Sequence, residues 1–107
     1  MLNRKERTIE TYKKAGALMR LLKELGGEAL VETSKVLKAS DSDRFWRALN
    51  TIDIICSRAE DNMFTDHPEL SNEYTDVFYG TVGMEPRNAV DEEVIELARK
   101  SADELFR

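Results

Sequence analysis

Apolar residues recur at helical spacing along residues 45–63, and this stretch constrains the fold more than any other. Its members follow one another at steps of four, three, four, three and four residues: Phe45, Leu49, Ile52, Cys56, Ala59 and Met63. This spacing places them on one face of a helix. Ala48 and Ile55 widen the stripe on one side, and Trp46 and Phe64 lie on the other. We therefore expect this helix to form the centre of the fold, with neighbours on both flanks.

The composition is typical of a single helical domain. The chain has 107 residues, of which 41% are hydrophobic and 35% are charged, and it holds two prolines and five glycines. This length suits one domain with its own core, and the abundance of helix-forming residues favours helices over disorder. We predict one domain over residues 1–107, an all-α, mostly antiparallel helical bundle of four main helices plus one short helix.

Capping residues and glycines indicate where the first helix begins and ends. Asn3 is placed to cap it, with Glu6 reaching back three residues later as in a capping box. The paired Gly26 and Gly27 are a strong stop signal. We expect this helix to end near Leu25.

Two further predicted helices follow the glycines. Residues 27–38 form the short one, which depends on packing for its stability. The serine- and aspartate-rich residues 39–43 then form a turn, where Ser40 or Ser42 is expected to cap the central helix. That helix should run to about Phe64.

The last two predicted helices are separated by an irregular loop. Asp66 is the expected cap of the fourth helix, with Pro68 in its first turn and Gly80 at its end. Residues 81–87 contain glycine and proline and should form the loop. Asn88 caps the final helix, which runs to the C-terminus. Its apolar side comprises Val90, Val94, Leu97, Ala98, Ala102 and Leu105.

The sequence gives little support to an enzyme. Cys56 is the only cysteine and belongs to the central stripe, so we expect a small buried side chain and no intramolecular disulfide. His67 is the only histidine, which leaves hydrolytic triads and two-histidine metal motifs incomplete. No glycine-rich phosphate-binding motif is present. We predict no catalytic residue and no cofactor.

Nothing in the sequence indicates a membrane protein. The first seven residues are charged but no continuous apolar run follows them, and no stretch of eighteen apolar residues occurs. We expect neither a signal peptide nor a membrane span. Together with the single cysteine, this favours the cytoplasm.

The charge is unevenly distributed along the chain. The formal net charge is −5, which argues against a protein devoted to non-specific nucleic-acid binding. Residues 1–25 hold seven basic and three acidic residues, whereas residues 60–107 hold four basic and thirteen acidic ones. We expect the basic first helix to lie beside acidic helices of its own chain. The same complementarity can act between two protomers.

The second half of the first helix is more apolar than one buried contact requires. Apolar residues there cover more than half of the helix circumference: Leu18, Met19, Leu21, Leu22 and Leu25. We predict a small interaction or regulatory module that self-associates as a homodimer, or binds another protein, through Leu18, Leu21, Leu22 and Leu25. Trp46 is a further interface candidate because tryptophan is enriched at binding hot spots. Burial of Trp46 under the second helix is the favoured alternative.

Two other functions stay open as alternatives. Four carboxylates lie at steps of three, four and three residues on the predicted fourth helix: Asp66, Glu69, Glu73 and Asp76. They could bind Mg²⁺ or Ca²⁺, which prefer oxygen ligands, and serve a small hydrolase. A solvated acidic face is the simpler explanation. Lys13 and Lys14 on the first helix are the candidates for contact with a nucleic-acid backbone.

Overall fold

Three α-helices and one short 3₁₀ helix make up the regular structure of the part of the chain described below. A computed structural model describes residues 1–83 and 85–106, so that Met84, within the predicted loop, and Arg107 lie outside the described residues. Three ranges define the α-helices: α1 is Ile9–Thr33, α2 is Ala39–Asp66 and α3 is Ala89–Leu105. The described residues contain no β-strand. The all-α prediction is therefore confirmed, but the predicted four main helices are three.

The paired glycines do not end the first helix. Helix α1 passes through both of them and merges the first two predicted helices into one of 25 residues. Gly26 lies where α1 and α2 approach each other closely, because a Cβ built on it would come within 2.6 Å of Leu49 Cδ2. Because Gly26 has no side chain, the two helices can pack closely at this point. The sequence alone does not distinguish a glycine with this packing role from one that ends a helix.

The first helix also begins later than predicted. Thr8 caps α1, its side chain accepting a hydrogen bond of 3.2 Å from the Thr11 amide. The predicted contacts between Asn3 and Glu6 do form, with the Glu6 amide 3.1 Å from Asn3 Oδ1. They close an isolated turn before α1, so the prediction of Asn3 as the helix cap is wrong.

Helix α2 presents the predicted stripe to the core. Cys56 and Met63 are completely buried, and the other four stripe residues are half-buried. The predicted serine caps are wrong, because α2 begins at Ala39 with Lys38 as its cap and no side-chain hydrogen bond there. Ser40 and Ser42 both lie within the first turn of the helix.

Helix α1, and not α2, is the centre of the fold. It packs against both α2 and α3, whereas no close pairing exists between the described residues of α2 and those of α3. Helices α1 and α2 are antiparallel: Arg7, just before α1, meets Asp66 at the end of α2, and Gly26 meets Leu49 farther along. The expected central position of α2 is therefore wrong.

An irregular connection replaces the predicted fourth helix. Of the described residues between α2 and α3, only Asn72–Tyr74 form regular structure, a 3₁₀ helix. Val77 and Phe78 in this connection are 1% exposed and fill the core beside α1. Burial of side chains this large stabilises the fold by about 1.5–3 kcal/mol each. The connection is therefore a structural part of the core.

The final helix agrees with its prediction at the start and departs from it at the end. Asn88 caps α3 by accepting a 2.8 Å hydrogen bond from the Asp91 amide. Val90, Val94 and Ala98 are buried as expected. Leu105, predicted on the same apolar side, is instead 67% exposed, because it lines an open groove beside α1 and not the closed core.

Candidate functional site

Among the described residues, helix α1 has two faces occupied by its own chain and one that is free. Tyr12 and Gly26 meet residues of α2. Lys13 and Arg20 are turned toward α3, where they contact Glu93 and Asp91. With 3.6 residues per turn, the residues of α1 that are turned toward neither α2 nor α3 form a third face. This free face is the one on which the sequence predicts an interface.

The free face forms one side of an apolar groove of about 430 Å³. Four of the lining residues are the predicted interface leucines: Leu18, Leu21, Leu22 and Leu25. The end of α3 supplies the opposite side through Leu105 and Phe106, which are 67% and 78% exposed. Exposed apolar side chains gathered in one depression mark a binding surface more often than scattered ones do.

Sequence reasoning missed the part of the groove that comes from the end of α3. It assigned Leu105 to the buried side of the last helix and gave Phe106 no role. The available signal was the pair of adjacent apolar residues at the end of an amphipathic helix. That signal does not reveal which helix lies opposite, so only the packing of α3 on α1 brings Leu105 and Phe106 to the four leucines.

Trp46 lies outside the groove. Its side chain is half exposed near the start of α2 and is not among the residues that line the groove. The favoured alternative, burial of Trp46 under a second helix, is wrong because that helix is the continuation of α1 and leaves the tryptophan uncovered. A contribution of Trp46 to an interface stays a prediction.

Charged side chains border the groove at both ends of the free face. Glu24 and Glu28 line it directly, and Lys14 lies on α1 one turn before Leu18. All three are exposed. Among the described residues, neither Lys14 nor Glu28 takes part in an ion pair, although most of the other basic residues of the first half of the chain do.

The expected pairing of the basic first helix with acidic parts of its own chain is present. Lys13 forms an ion pair with Glu93 on α3, and its side chain is buried. Burial alone lowers the pKa of Lys13, but the hydrogen bond and charge of Glu93 outweigh burial and raise it. Lys13 is thus turned inward while Lys14 is exposed, so the structure does not bring the two predicted nucleic-acid contacts together.

The four predicted metal ligands do not share a helix face, because the predicted fourth helix does not form. Asp66 ends α2, and Asp76 Oδ2 lies 3.0 Å from Arg87 Nη1. Glu69 and Glu73 are exposed. Within the described part of the chain, no group of three or more histidine, cysteine or acidic side chains is placed to hold a metal ion. The geometry therefore gives the metal alternative no support.

Asp66 is held instead by two side chains from the start of the chain. Arg7 donates to both of its carboxylate oxygens, at 2.6 and 3.1 Å, and the Tyr12 hydroxyl donates at 2.5 Å. The hydrogen bonds from Arg7 and then Tyr12 lower the pKa of Asp66 from 3.8 to about 2. Burial, and then the hydrogen bond to Asp66, raises the pKa of Tyr12 to about 12. Neither group is suited to proton transfer near neutral pH.

His67 completes this cluster as a structural residue. Its Nε2 lies 2.8 Å from the Arg7 backbone carbonyl, which requires Nε2 to carry a proton and donate it. The imidazole also packs edge-on against the Tyr12 ring, with 6.0 Å between ring centroids. The cluster joins the segment before α1 to the end of α2.

Comparisons with known proteins add no constraint on function. No protein-family model matches the chain, and no significant match to it occurs among curated proteins or solved structures. No helix within residues 1–83 and 85–106 has both the length and the apolar character needed to cross a bilayer. The groove remains the surface with the clearest chemical character.

Proposed function

We propose that this chain is a small interaction or regulatory module that self-associates as a homodimer through the α1 groove. The observation that carries the proposal is the exposure of the groove leucines: Leu18, Leu22 and Leu25 are 41%, 47% and 58% exposed. Removing these apolar side chains from water by covering them with a partner surface lowers the free energy of the complex. We further propose a cytoplasmic setting, because the only cysteine is buried and free.

Self-association through the groove buries the apolar groove residues of both copies at once. In a two-fold dimer each copy contributes the same patch, so every exposed leucine is covered once in each copy and contributes two equivalent contacts to the complex. Covering the exposed half of a leucine contributes about 1 kcal/mol. The six apolar residues of each copy therefore supply a favourable term that can offset the cost of association, which is at least about 4 kcal/mol.

The mass of the protein in solution tests this proposal. Light scattering on a sizing column, over a series of micromolar concentrations, should give twice the chain mass of 12.3 kDa. The variant Leu22→Glu should elute as a single chain, because a carboxylate would be buried without a partner at the contact. Circular dichroism should show unchanged helix content, since Leu22 is half exposed.

A matched control separates the groove from the rest of the surface. Ile54 on α2 is 56% exposed and lies outside the groove. We expect Ile54→Glu to retain the mass of the dimer. A wild-type mass of one chain throughout the series contradicts the proposal, and so does a dimer that survives Leu22→Glu.

A further inference from the structure

The free face of α1 carries a charge pattern that is complementary to itself. Five of its residues follow at steps of four, three, four and three, which is the spacing of a coiled-coil seam: Lys14, Leu18, Leu21, Leu25 and Glu28. A basic residue begins the series and an acidic residue ends it. About 21 Å separates these two ends along the helix, with the leucines between them.

This pattern distinguishes the two ways in which α1 can pair with its own copy. In a parallel pair, Lys14 faces Lys14 and Glu28 faces Glu28, so both ends are repulsive. In an antiparallel pair related by a two-fold axis near Leu21 and Leu22, each Lys14 faces Glu28 of the other copy. Leu18 of one copy then lies next to Leu25 of the other.

Lys14 and Glu28 are both available for such a contact. Of the four basic residues of α1, three are engaged within the chain: Lys13 with Glu93, Arg20 with Asp91 and Lys23 with Asp53. Lys14 has no intrachain ion pair among the described residues, and the same is true of Glu28. A dimer would therefore form new ion pairs without breaking existing ones.

Resting on the proposed self-association, we propose that α1 pairs antiparallel with α1 of a second copy, and that Lys14 of each copy forms an ion pair with Glu28 of the other. The leucines supply the attraction between the copies. The two ion pairs fix the direction and register of the helices, because a charge at either end of the apolar seam is favourable only where the opposite charge lies across from it.

Charge reversal tests the antiparallel arrangement. In Lys14→Glu two carboxylates face each other at both ends of the interface, and in Glu28→Lys two ammonium groups do. Each single variant should raise the dissociation constant of the dimer about tenfold, since two attractive pairs become repulsive. The double variant Lys14→Glu/Glu28→Lys should return it to near the wild-type value, because the pairs form again with their signs exchanged.

Two controls make the result specific. Arg99→Glu changes the net charge as Lys14→Glu does, at an exposed position of α3 outside the groove, and should leave the dissociation constant unchanged. Raising the salt concentration should reduce the difference between the single variants and the wild type. All dissociation constants are measured by sedimentation equilibrium on the full chain.

The outcomes separate this inference from the proposed function. A wild-type dimer whose dissociation constant is unaffected by either single reversal overturns the antiparallel pairing but leaves self-association through the groove intact. The pairing is also overturned if each single variant raises the dissociation constant and the double variant does not return it to near the wild-type value. A wild-type protein that stays monomeric at every concentration overturns both proposals.

Discussion

Arg20 in the middle of α1 lies against Asp91 at the start of α3, with 2.7 Å between Nη1 and Oδ1. Both residues are almost completely buried, at 2% and 4% exposure. No N–H of Arg20 points at Asp91 Oδ1, so the contact is one of charge rather than a linear hydrogen bond. Burial raises the pKa of Asp91, but the Arg87 amide, which donates to Oδ2, and the Arg20 charge together lower it.

Removing the Arg20 guanidinium should destabilise the protein strongly. Arg20 also donates to the backbone carbonyls of Val77, Asp76 and Thr81, at 3.0, 2.5 and 3.2 Å. In Arg20→Met these carbonyls lose their donor and Asp91 becomes an unpaired buried charge. We expect a loss of about 3–5 kcal/mol in the free energy of unfolding, measured by urea denaturation.

Such a loss is large against the total stability of a small domain, so a milder variant is needed as well. Arg20→Lys keeps the charge but cannot reach all three carbonyls, and should cost about 1–3 kcal/mol. The exposed Arg58 on α2 provides the control: Arg58→Met should stay within about 0.5 kcal/mol of the wild type. Equal effects of Arg20→Met and Arg58→Met would contradict a structural role for the buried guanidinium.

Two glycines of α1 should respond to alanine in opposite directions. A Cβ on Gly16 would lie 2.5 Å from the Val77 carbonyl oxygen, so Gly16→Ala must displace the connection and should cost about 1–3 kcal/mol. A Cβ on Gly27 meets nothing within 4 Å. Gly27→Ala should therefore stabilise the helix by about 0.5–1 kcal/mol. Thermal melts that shift both variants in the same direction would count against this packing.

The Asp66 cluster should make stability depend on pH in acid. Because the folded protein lowers the pKa of Asp66 from 3.8 to about 2, the unfolded chain binds this proton more tightly. The contribution is thus complete above pH 3.8 and is lost as the pH falls through about 2. The difference in unfolding free energy between the wild type and Asp66→Asn should be constant near neutral pH and shrink over this acid range. A difference that stays constant down to pH 2 would exclude the cluster as its source.

The thiol of Cys56 should react slowly in the folded protein. Its side chain is completely buried, and burial raises its pKa, so both access and the thiolate fraction are reduced. Labelling with a disulfide reagent should be much slower in buffer than in denaturing urea. Ser57→Cys in a Cys56→Ala background provides the exposed control on the same helix and should label rapidly in both. Comparable rates for Cys56 with and without urea would show that the core around α2 is open.

The best predictions came from signals that act over one helical turn. The apolar spacing along α2 predicts which face of the helix is buried, whichever helix packs against it. The complete burial of Cys56 and Met63 confirms this face. Asn88 caps α3 because its side chain reaches an amide only three residues away. The four groove leucines were identified as a group for the same reason, since they share one face of a helix.

The Gly26 and Gly27 signal failed because its meaning depends on a partner helix. A paired glycine ends a helix when nothing stabilises the continuation, yet α1 continues because Gly26 lets Leu49 of α2 approach its backbone. Local sequence contains no information on that approach. Because α1 does not end at the paired glycines, the separate second helix does not form, and Trp46 is not covered by it.

The sequence by itself determined the helical character, the inward face of α2, the cap of α3 and the apolar free face of α1, because each depends on residues within a few turns of one another. Tertiary structure decided that α1 is the central helix, that the residues after Asp66 form a connection, and that Leu105 and Phe106 complete the groove. The physical reason is clearest at Arg20 and Lys23. Their side chains donate hydrogen bonds to the carbonyls of Val77 and Phe78, so residues of α1 more than fifty positions away in sequence hold the connection in place.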